Sequence, residues 1–294
     1  IMGIAFTPVD QEPLGDYVTI KLSTEDKIVI TGDFASELPT DAKQNIVYQC
    51  LIRFNQILLQ KKLPICSIQL TLNKCLPVGS GLGSSAASVV AALEALNIFY
   101  QNPLSPVELL RLCGELEGTI SGSVHYDNVA PCLLGGLQLM SLNENICYDL
   151  PTPDWYYVLL HPGTQVSTKM AREVLPKHYS MKDSILLSQR LANFIDALHR
   201  KQEDLALSLM NDFFIEPYRA HLIPKFIEAK AFALENGAAA YGISGAGPTS
   251  LAICKTLADA NRLKSALDLF YQDFPNAKSW ICKLDSEGAR EIQI

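Results

Sequence analysis

The stretch "PVGSGLGSSAAS", residues 77–88, sets Gly79, Gly81 and Gly83 among serines immediately ahead of an apolar run. Flexible residues lose conformational freedom on folding, so a cluster of them before a helix implies that something needs close approach to backbone. A strand, a glycine turn and a helix start make an anion site from main chain alone. The free N–H groups of the first helical turn point outward, and the helix dipole favours negative charge by about 0.3–1 kcal/mol, up to ~2 when partly buried. Ser84 and Ser85 add hydroxyls where that turn would meet a phosphate or its magnesium ion, and Ala86 and Ala87 leave the approach clear. Phosphate binding is the functional reading of this loop, and a structural turn is the plain one. Two familiar phosphate loops do not fit. The Walker pattern needs a lysine before Ser/Thr, and no lysine lies between Lys74 and Tyr100. The dinucleotide fingerprint needs G-x-G-x-x-G, whereas these glycines are spaced G-x-G-x-G, and no acidic residue ends a second strand downstream.

The elements that must hold the loop are read from periodicity. Residues 16–23 and 27–32 alternate with period two and are expected to form an antiparallel pair. Ile46, Val47, Cys50, Leu51, Phe54, Ile57 and Leu58 recur at helical spacing, and their apolar stripe is core packing. "ICSIQLTL" (65–72) is a strand, and "SSAASVVAALEALNIFY" (84–100) is a helix apolar on nearly every side, hence buried. "SPVELLRLCGELEG" (105–118) starts a helix with serine before proline. The Pro-rich seam "DLPTPDW" (149–155) suggests a boundary, giving domains 1–150 and 151–294. Beyond it come a strand "WYYVLLHP", helical patterns near 168–176, 182–200, 203–213 and 217–236, and a C-terminal cap at Asn236-Gly237. A short strand into "YGISGAGP", a strand "TSLAICK", a helix near 258–273 and a strand "SWICKLD" complete the chain. Without the extra helices the order is β-α-β-β-α-β, the split arrangement of ferredoxin-like domains.

Composition narrows the function classes. The 294 residues are 48% hydrophobic with a mean hydropathy of +0.13, enough for a substantial core and for two domains. No run reaches the roughly 18 apolar residues of a membrane span, so no membrane partner is expected. A formal charge of −7 without a basic cluster argues against nucleic acid. The opening "IMGIAFTPVD" has neither the basic region nor the cleavage site of a secretory signal. Eight scattered cysteines without CxxC or zinc spacing read as buried, reduced thiols, consistent with a cytoplasmic location.

With its flanks, the glycine loop resembles the nucleotide-binding motif of the GHMP kinases. "GISGAGPTS" (242–250) is similar to that family's second glycine loop. "GELEGTISGSVHYDNVAPCLLGG" (114–136), "VSTKMAREVLP" (166–176) and "IEPYRAHLIP" (215–224) resemble the homoserine kinases within it. The similarities run in the family's order along nearly the whole chain. They imply an α/β (α+β) fold with an N-terminal nucleotide-binding domain like ribosomal protein S5 and a C-terminal ferredoxin-like domain. The activity implied is transfer of the γ-phosphate of ATP to the hydroxyl of L-homoserine, in threonine biosynthesis.

By that resemblance ATP sits on Pro77, Val78, Gly79, Ser80, Gly81, Leu82, Gly83, Ser84, Ser85, Ala86 and Ala87, with Gly245 and Gly247 closing the far side. Magnesium takes hard oxygen ligands, usually one or two from protein beside phosphates and water; the resemblance makes these Ser85 and Glu117. Without it, Glu117 would read as a solvated helix carboxylate, with Glu115 its exposed neighbour on another face. His125, Asp127 and Asn128 are expected at the amino-acid substrate, the last two as catalytic orienters of its hydroxyl and ammonium groups, with the general base left open. An isolated His125 would read as a structural hydrogen-bonder. A substrate carboxylate suits a guanidinium fork; Arg172 and Arg219, with Thr168 beside them, are the candidates. On composition alone either arginine would be a surface residue. His161, His178, His199 and His221 show no ligand spacing and read as structural or solvated.

The family's first motif, P-A-x-S-A-N-x-G-x-G-F-D, belongs immediately before "IMGIAF" and does not occur in the chain, so the pocket named here is expected to be incomplete. Another GHMP small-molecule kinase, acting on mevalonate or a sugar, is the near alternative, and a non-catalytic nucleotide-binding regulator is the distant one. Relatives suggest a homodimer, although no apolar stripe in the sequence marks its interface.

Overall fold

The computed structural model describes residues 2–292 apart from 11, 13, 40 and 142–145. Strands β1 (Met2–Ile4), β2 (Phe6–Pro8), β3 (Tyr17–Leu22) and β4 (Lys27–Thr31) precede helix α1 (Ile46–Gln60) and strand β5 (Ile68–Asn73). Helices α2 (Ser84–Phe99), α3 (Pro106–Ser121) and α4 (Val129–Leu134) and strands β6 (Leu137–Met140) and β7 (Cys147–Leu150) complete the first half. The second half runs β8 (Tyr156–His161), α5 (Thr168–Glu173), α6 (Met181–His199), α7 (Glu203–Leu209), α8 (Glu216–Arg219), α9 (Phe226–Glu235), β9 (Ala240–Ile243), β10 (Ser250–Cys254), α10 (Leu257–Phe270) and β11 (Lys278–Leu284).

Helix α2 is the spine of the first core. It has no polar face to offer water, and ten of its residues are buried, against α1, α3, α4 and the β3-β5-β4 sheet. Its neighbour α3 starts on a complete capping box: Ser105 accepts from the Glu108 amide while the Glu108 carboxylate accepts from the Ser105 amide.

Residues 16–23 and 27–32 do form strands, but not a pair. β5 lies between them, antiparallel to β3 and parallel to β4. Ile68, Leu70 and Leu72 are fully buried, so the centre of the sheet is where β5 covers its apolar face and both backbone edges. The short link between β3 and β4 steps over the start of β5. There the Ser23 amide donates to the Ser67 carbonyl and the Ile68 amide to the Asp26 carboxylate.

The second half carries a sheet ordered β2-β11-β8-β10-β9, antiparallel throughout. Four of its strands have the β-α-β-β-α-β order inferred from the sequence. β8 shows why "YYVLLH" is apolar without alternation: Val158 and Leu160 face α9 and α10, whereas Tyr157 and Leu159 face α6 and α7. The helix expected over 217–236 is broken into α8, a single 3-10 turn at residues 220–222, and α9. Pro224 forces Ile223 into extended backbone, and Lys225 restarts the helix at φ +53°.

The two halves are stitched together. β2 pairs with β11, and past β11 the chain returns so that Gly136 donates to Asp285 O and Ala289 to Leu133 O. All eight cysteines are free thiols, but Cys66, Cys75, Cys132 and Cys147 are only partly buried.

Candidate active site

The loop between β5 and α2 takes the backbone its glycines allow. Gly79, Gly81 and Gly83 adopt φ of +66°, +80° and +67°, a region costly for other residues. At Gly81 there is a second reason. An added Cβ would lie 2.5 Å from the Ser244 carbonyl oxygen and 2.7 Å from that of Gly247, because the two glycine loops pack face to face. Three carbonyls of the first loop are tied to the second half of the chain: Gly79 O accepts from the Val166 amide, Ser80 O from the Thr249 amide and Gly81 O from the Ser244 hydroxyl. The amides of Gly81, Gly83, Ser84 and Ser85 have no protein acceptor among the described residues. Pro77 and Ser80 are buried, the Val78 amide donates to Glu37, Leu82 packs against the core on which β8 rests, and Ala86 and Ala87 are buried in the first turn of α2.

Ser85, in that turn, donates to Glu117 Oε1 at 2.6 Å. The packing of α3 on α2 brings the two together, and Glu117 is only 7% exposed. Burial pushes its carboxyl above the ordinary range; the Ser85 hydrogen bond opposes this and the charge of nearby Asp127 adds to it. Glu115 faces elsewhere, 3.7 Å from Arg53. Asn128 begins α4 without capping it, and its side chain borders Gly83: Oδ1 lies 3.5 Å from where a Cβ there would stand. Asp127, Asn128, Glu117 and Ser85 therefore surround the exit of the glycine loop.

The other residues converge from both halves. His125 Nε2 lies 2.7 Å from Ser123 Oγ and 3.0 Å from Arg172 Nη2. A guanidinium can only donate, so in this contact Nε2 is the acceptor. Arg172 is carried by α5, whose Ser167 cap accepts from the Met170 amide. Thr168 opens that helix, exposed, one turn before Arg172. Arg219 bridges two structures: Nε donates to Ala171 O on α5 and Nη1 to Gly245 O in the second glycine loop, each at 3.0 Å. Asp212 sets its position by accepting the amides of Phe214, Ile215 and Glu216 at the entry to α8. Arg219 has no carboxylate bonded to it among the described residues, and it lies close enough to Arg172 for the two charges to repel. A Cβ added at Gly247 would stand 3.0 Å from Ile223 Cδ1 and 3.3 Å from Ile243 Cγ2.

Two family models cover most of the chain in order: the GHMP kinases N-terminal domain over residues 45–136 and the GHMP kinases C-terminal domain over residues 186–273. The chain belongs to the GHMP kinase family. Among solved structures it is similar to homoserine kinase from Cytophaga hutchinsonii, at 31% identity and a TM-score of 0.88, covering 99% of this chain and 91% of that one. A putative homoserine kinase from Listeria monocytogenes matches at 24% identity and 0.74, covering 100% and 93%. The mevalonate kinase of L. major shares the fold at 15% identity and 0.68, covering 93% and 87%.

Around this GHMP kinase's loops no role was legible in the sequence for Thr249, Ser244, Lys74 or Asp16, whereas His161 is structural, one of the two roles expected of it. Thr249 and Ser244 brace the first loop, and buried His161 lies 3.3 Å from the Thr249 hydroxyl through Nδ1. Burial and the charge of Lys278 lower the His161 pKa to about 4, so it is neutral. Lys74 and Asp16 form a buried ion pair at the entry to the loop. The one available signal was a lysine in the otherwise apolar lead-in "NKCLPVG". No cluster of three or more His, Cys, Asp or Glu side chains suited to a metal occurs among the described residues, and no helix there is long and apolar enough to cross a membrane.

Proposed function

We propose that this GHMP kinase transfers the γ-phosphate of ATP to the hydroxyl of L-homoserine, forming O-phospho-L-homoserine and ADP. The observation that carries the acceptor assignment is Arg219, a cation tied to the second glycine loop and to the helix bearing Arg172. Two guanidinium groups beside a phosphate loop suit an acceptor with its own carboxylate. The similarity to a homoserine kinase at 31% identity supports the same acceptor.

In this reading the amides of Gly81, Gly83, Ser84 and Ser85, which have no acceptor among the described residues, hold the triphosphate, and the 244–248 loop covers it. Ser85 and Glu117 are two hard oxygen donors 2.6 Å apart. A carboxylate whose charge is disfavoured by burial gains from a cation, so the pair fits magnesium, with phosphates and water supplying its other ligands. Bound there, the ion would neutralise charge on the phosphates. Arg172 and Arg219 hold the substrate carboxylate, with Thr168 and His125 at its edge. Asp127 and Asn128 orient the ammonium and hydroxyl groups. The acceptor oxygen forms its bond to the γ-phosphorus as the bond from that phosphorus to the β–γ bridging oxygen breaks, ADP leaves, and the hydroxyl proton passes to solvent. Positioning and charge neutralisation account for this chemistry without an assigned base.

The test is a panel of homoserine, 4-hydroxybutyrate, mevalonate and galactose, with ATP consumption and phosphorylated product as readouts. Homoserine alone should turn over well. Mevalonate also carries a carboxylate, so the 4-hydroxybutyrate arm isolates the ammonium group. Rapid turnover of mevalonate or galactose would replace the assignment, and nucleotide binding without any product would make the protein a regulator.

A further inference from the structure

We infer that Lys74 and Asp16 are positioning residues for nucleotide binding, clamping both ends of the phosphate loop to one buried carboxylate. The inference rests on the assignment of that loop to ATP. Lys74 Nζ donates to Asp16 Oδ2 at 2.5 Å, to the Ser84 carbonyl at 2.8 Å and to Ser88 Oγ at 3.1 Å. Its three protons are thereby all used. Asp16 Oδ1 accepts the amides of Cys75 and Leu76 at 3.0 and 3.3 Å, and Oδ2 also accepts the Ser88 hydroxyl at 2.5 Å. Ser84 Oγ closes the ring by donating to Leu76 O at 3.1 Å.

The loop therefore enters at residues 75 and 76 and leaves at 84 and 88 through groups held by the same ion pair. Both side chains are sealed from solvent, at 1% and 0% exposure. Stability alone is a poor reason for such a pair, since apolar residues of similar volume often serve as well or better. Apolar residues cannot hold two amides, a carbonyl and a hydroxyl at once, and those four groups fix where the free amides of the loop point. Charge gives a second reason. A bare carboxylate behind the first turn of α2 would oppose the phosphate that this turn attracts, and the Lys74 ammonium cancels it at hydrogen-bond distance.

The experiment measures MgADP affinity by calorimetry without any acceptor, together with the thermal midpoint of the nucleotide-free protein. Lys74→Met leaves Asp16 uncompensated and should weaken MgADP binding about tenfold or more. Lys74→Met with Asp16→Asn should regain only the part due to the bare charge, staying weaker than the unaltered protein because the Ser84 carbonyl and Ser88 hydroxyl are no longer held. Ser88→Ala removes one hydroxyl from the network, leaves the core packed, and should weaken binding about threefold. Unchanged MgADP affinity in Ser88→Ala and in any folded Lys74→Met protein, with only the midpoint lowered, would overturn the inference. Should Lys74→Met fail to fold, Ser88→Ala decides alone. Absence of MgADP binding by the unaltered protein would instead refute the nucleotide site, and the identity of the acceptor does not enter the measurement.

Discussion

Arg219 makes a prediction whose size follows from its bonds. Its Nε and Nη1 reach two carbonyls, Ala171 O and Gly245 O, which the proposed function puts on the acceptor side and the nucleotide side of the site. A hydrogen bond from a charged donor contributes about 1.5–3 kcal/mol, and for this half-buried side chain the lower end applies, roughly 1.5 kcal/mol each. Lysine presents a single ammonium that cannot span both carbonyls, so Arg219→Lys should lose about one bond, close to tenfold in kcat/KM for homoserine. Arg219→Ala loses both bonds and the substrate contact, which sums to about 3 kcal/mol or more, at least a hundredfold. The diagnostic is the second substrate. Gly245 packs on Gly81, so loosening it should also raise KM for ATP, by about threefold to tenfold. Steady-state kinetics with each substrate varied at saturation of the other separates the two effects. If Arg219→Ala depresses only the homoserine term, the bridge to the glycine loop has no consequence. If it depresses neither, Arg219 lies outside the site.

Arg172→Lys should weaken homoserine binding by about 1.5–3 kcal/mol while leaving KM for ATP unchanged, and an unaltered KM for homoserine would remove Arg172 from the pocket. Gly81→Ala places a methyl against two carbonyls at φ +80°, so nucleotide affinity should fall more than about tenfold while the chain still folds; near-native binding would show that the two loops do not meet this closely. His161 stays neutral in the folded protein down to about pH 4, whereas the unfolded chain takes a proton near the ordinary pH 6.5. The unfolded state therefore holds more protons between those values, and stability falls as pH drops through the window, by about 3 kcal/mol in all. His161→Asn should flatten that slope, and parallel melting curves for the two proteins from pH 7 to 4.5 would exclude His161 as its source.

What the sequence made legible was local. The glycine loop, the buried α2 and the Ser105 cap each depend on neighbours within one turn, and each appears where expected. What stayed hidden depends on pairing at a distance. Nothing in residues 16–32 shows that β5, some forty residues on, will insert between two adjacent strands; the burial of Ile68, Leu70 and Leu72 decides it. The break between α8 and α9 was written in Pro224, and apolar periodicity across it masked the signal. Arg172 is a surface residue in the fold as well, marked by its bond to His125, and Arg219 looks like one until the fold ties it to Ala171 O and Gly245 O. The partners of Lys74 lie both far before it and shortly after it, at Asp16, Ser84 and Ser88. His161 and Thr249 are joined only because β8 and β10 are paired.

The division of labour in the phosphate loop explains why the second half of the chain is needed at all. A peptide unit cannot turn its carbonyl one way without turning the next N–H the other. By taking the carbonyls of Gly79, Ser80 and Gly81 through Val166, Thr249 and Ser244, the second half turns these peptides; the Leu82 amide they carry reaches Ser80 Oγ, and that of Gly81 is left without a protein acceptor among the described residues. An isolated glycine loop would average over many such orientations, and a ligand would have to select one at an entropic cost. Here the cost is met during folding, by bonds that come from the same segments that carry Arg172 and contact Arg219. On the proposed function, the acceptor side and the nucleotide side are thus built from one set of backbone contacts. A change that loosens the packing between the halves should therefore weaken both substrates together, where a change confined to Arg172 weakens only one.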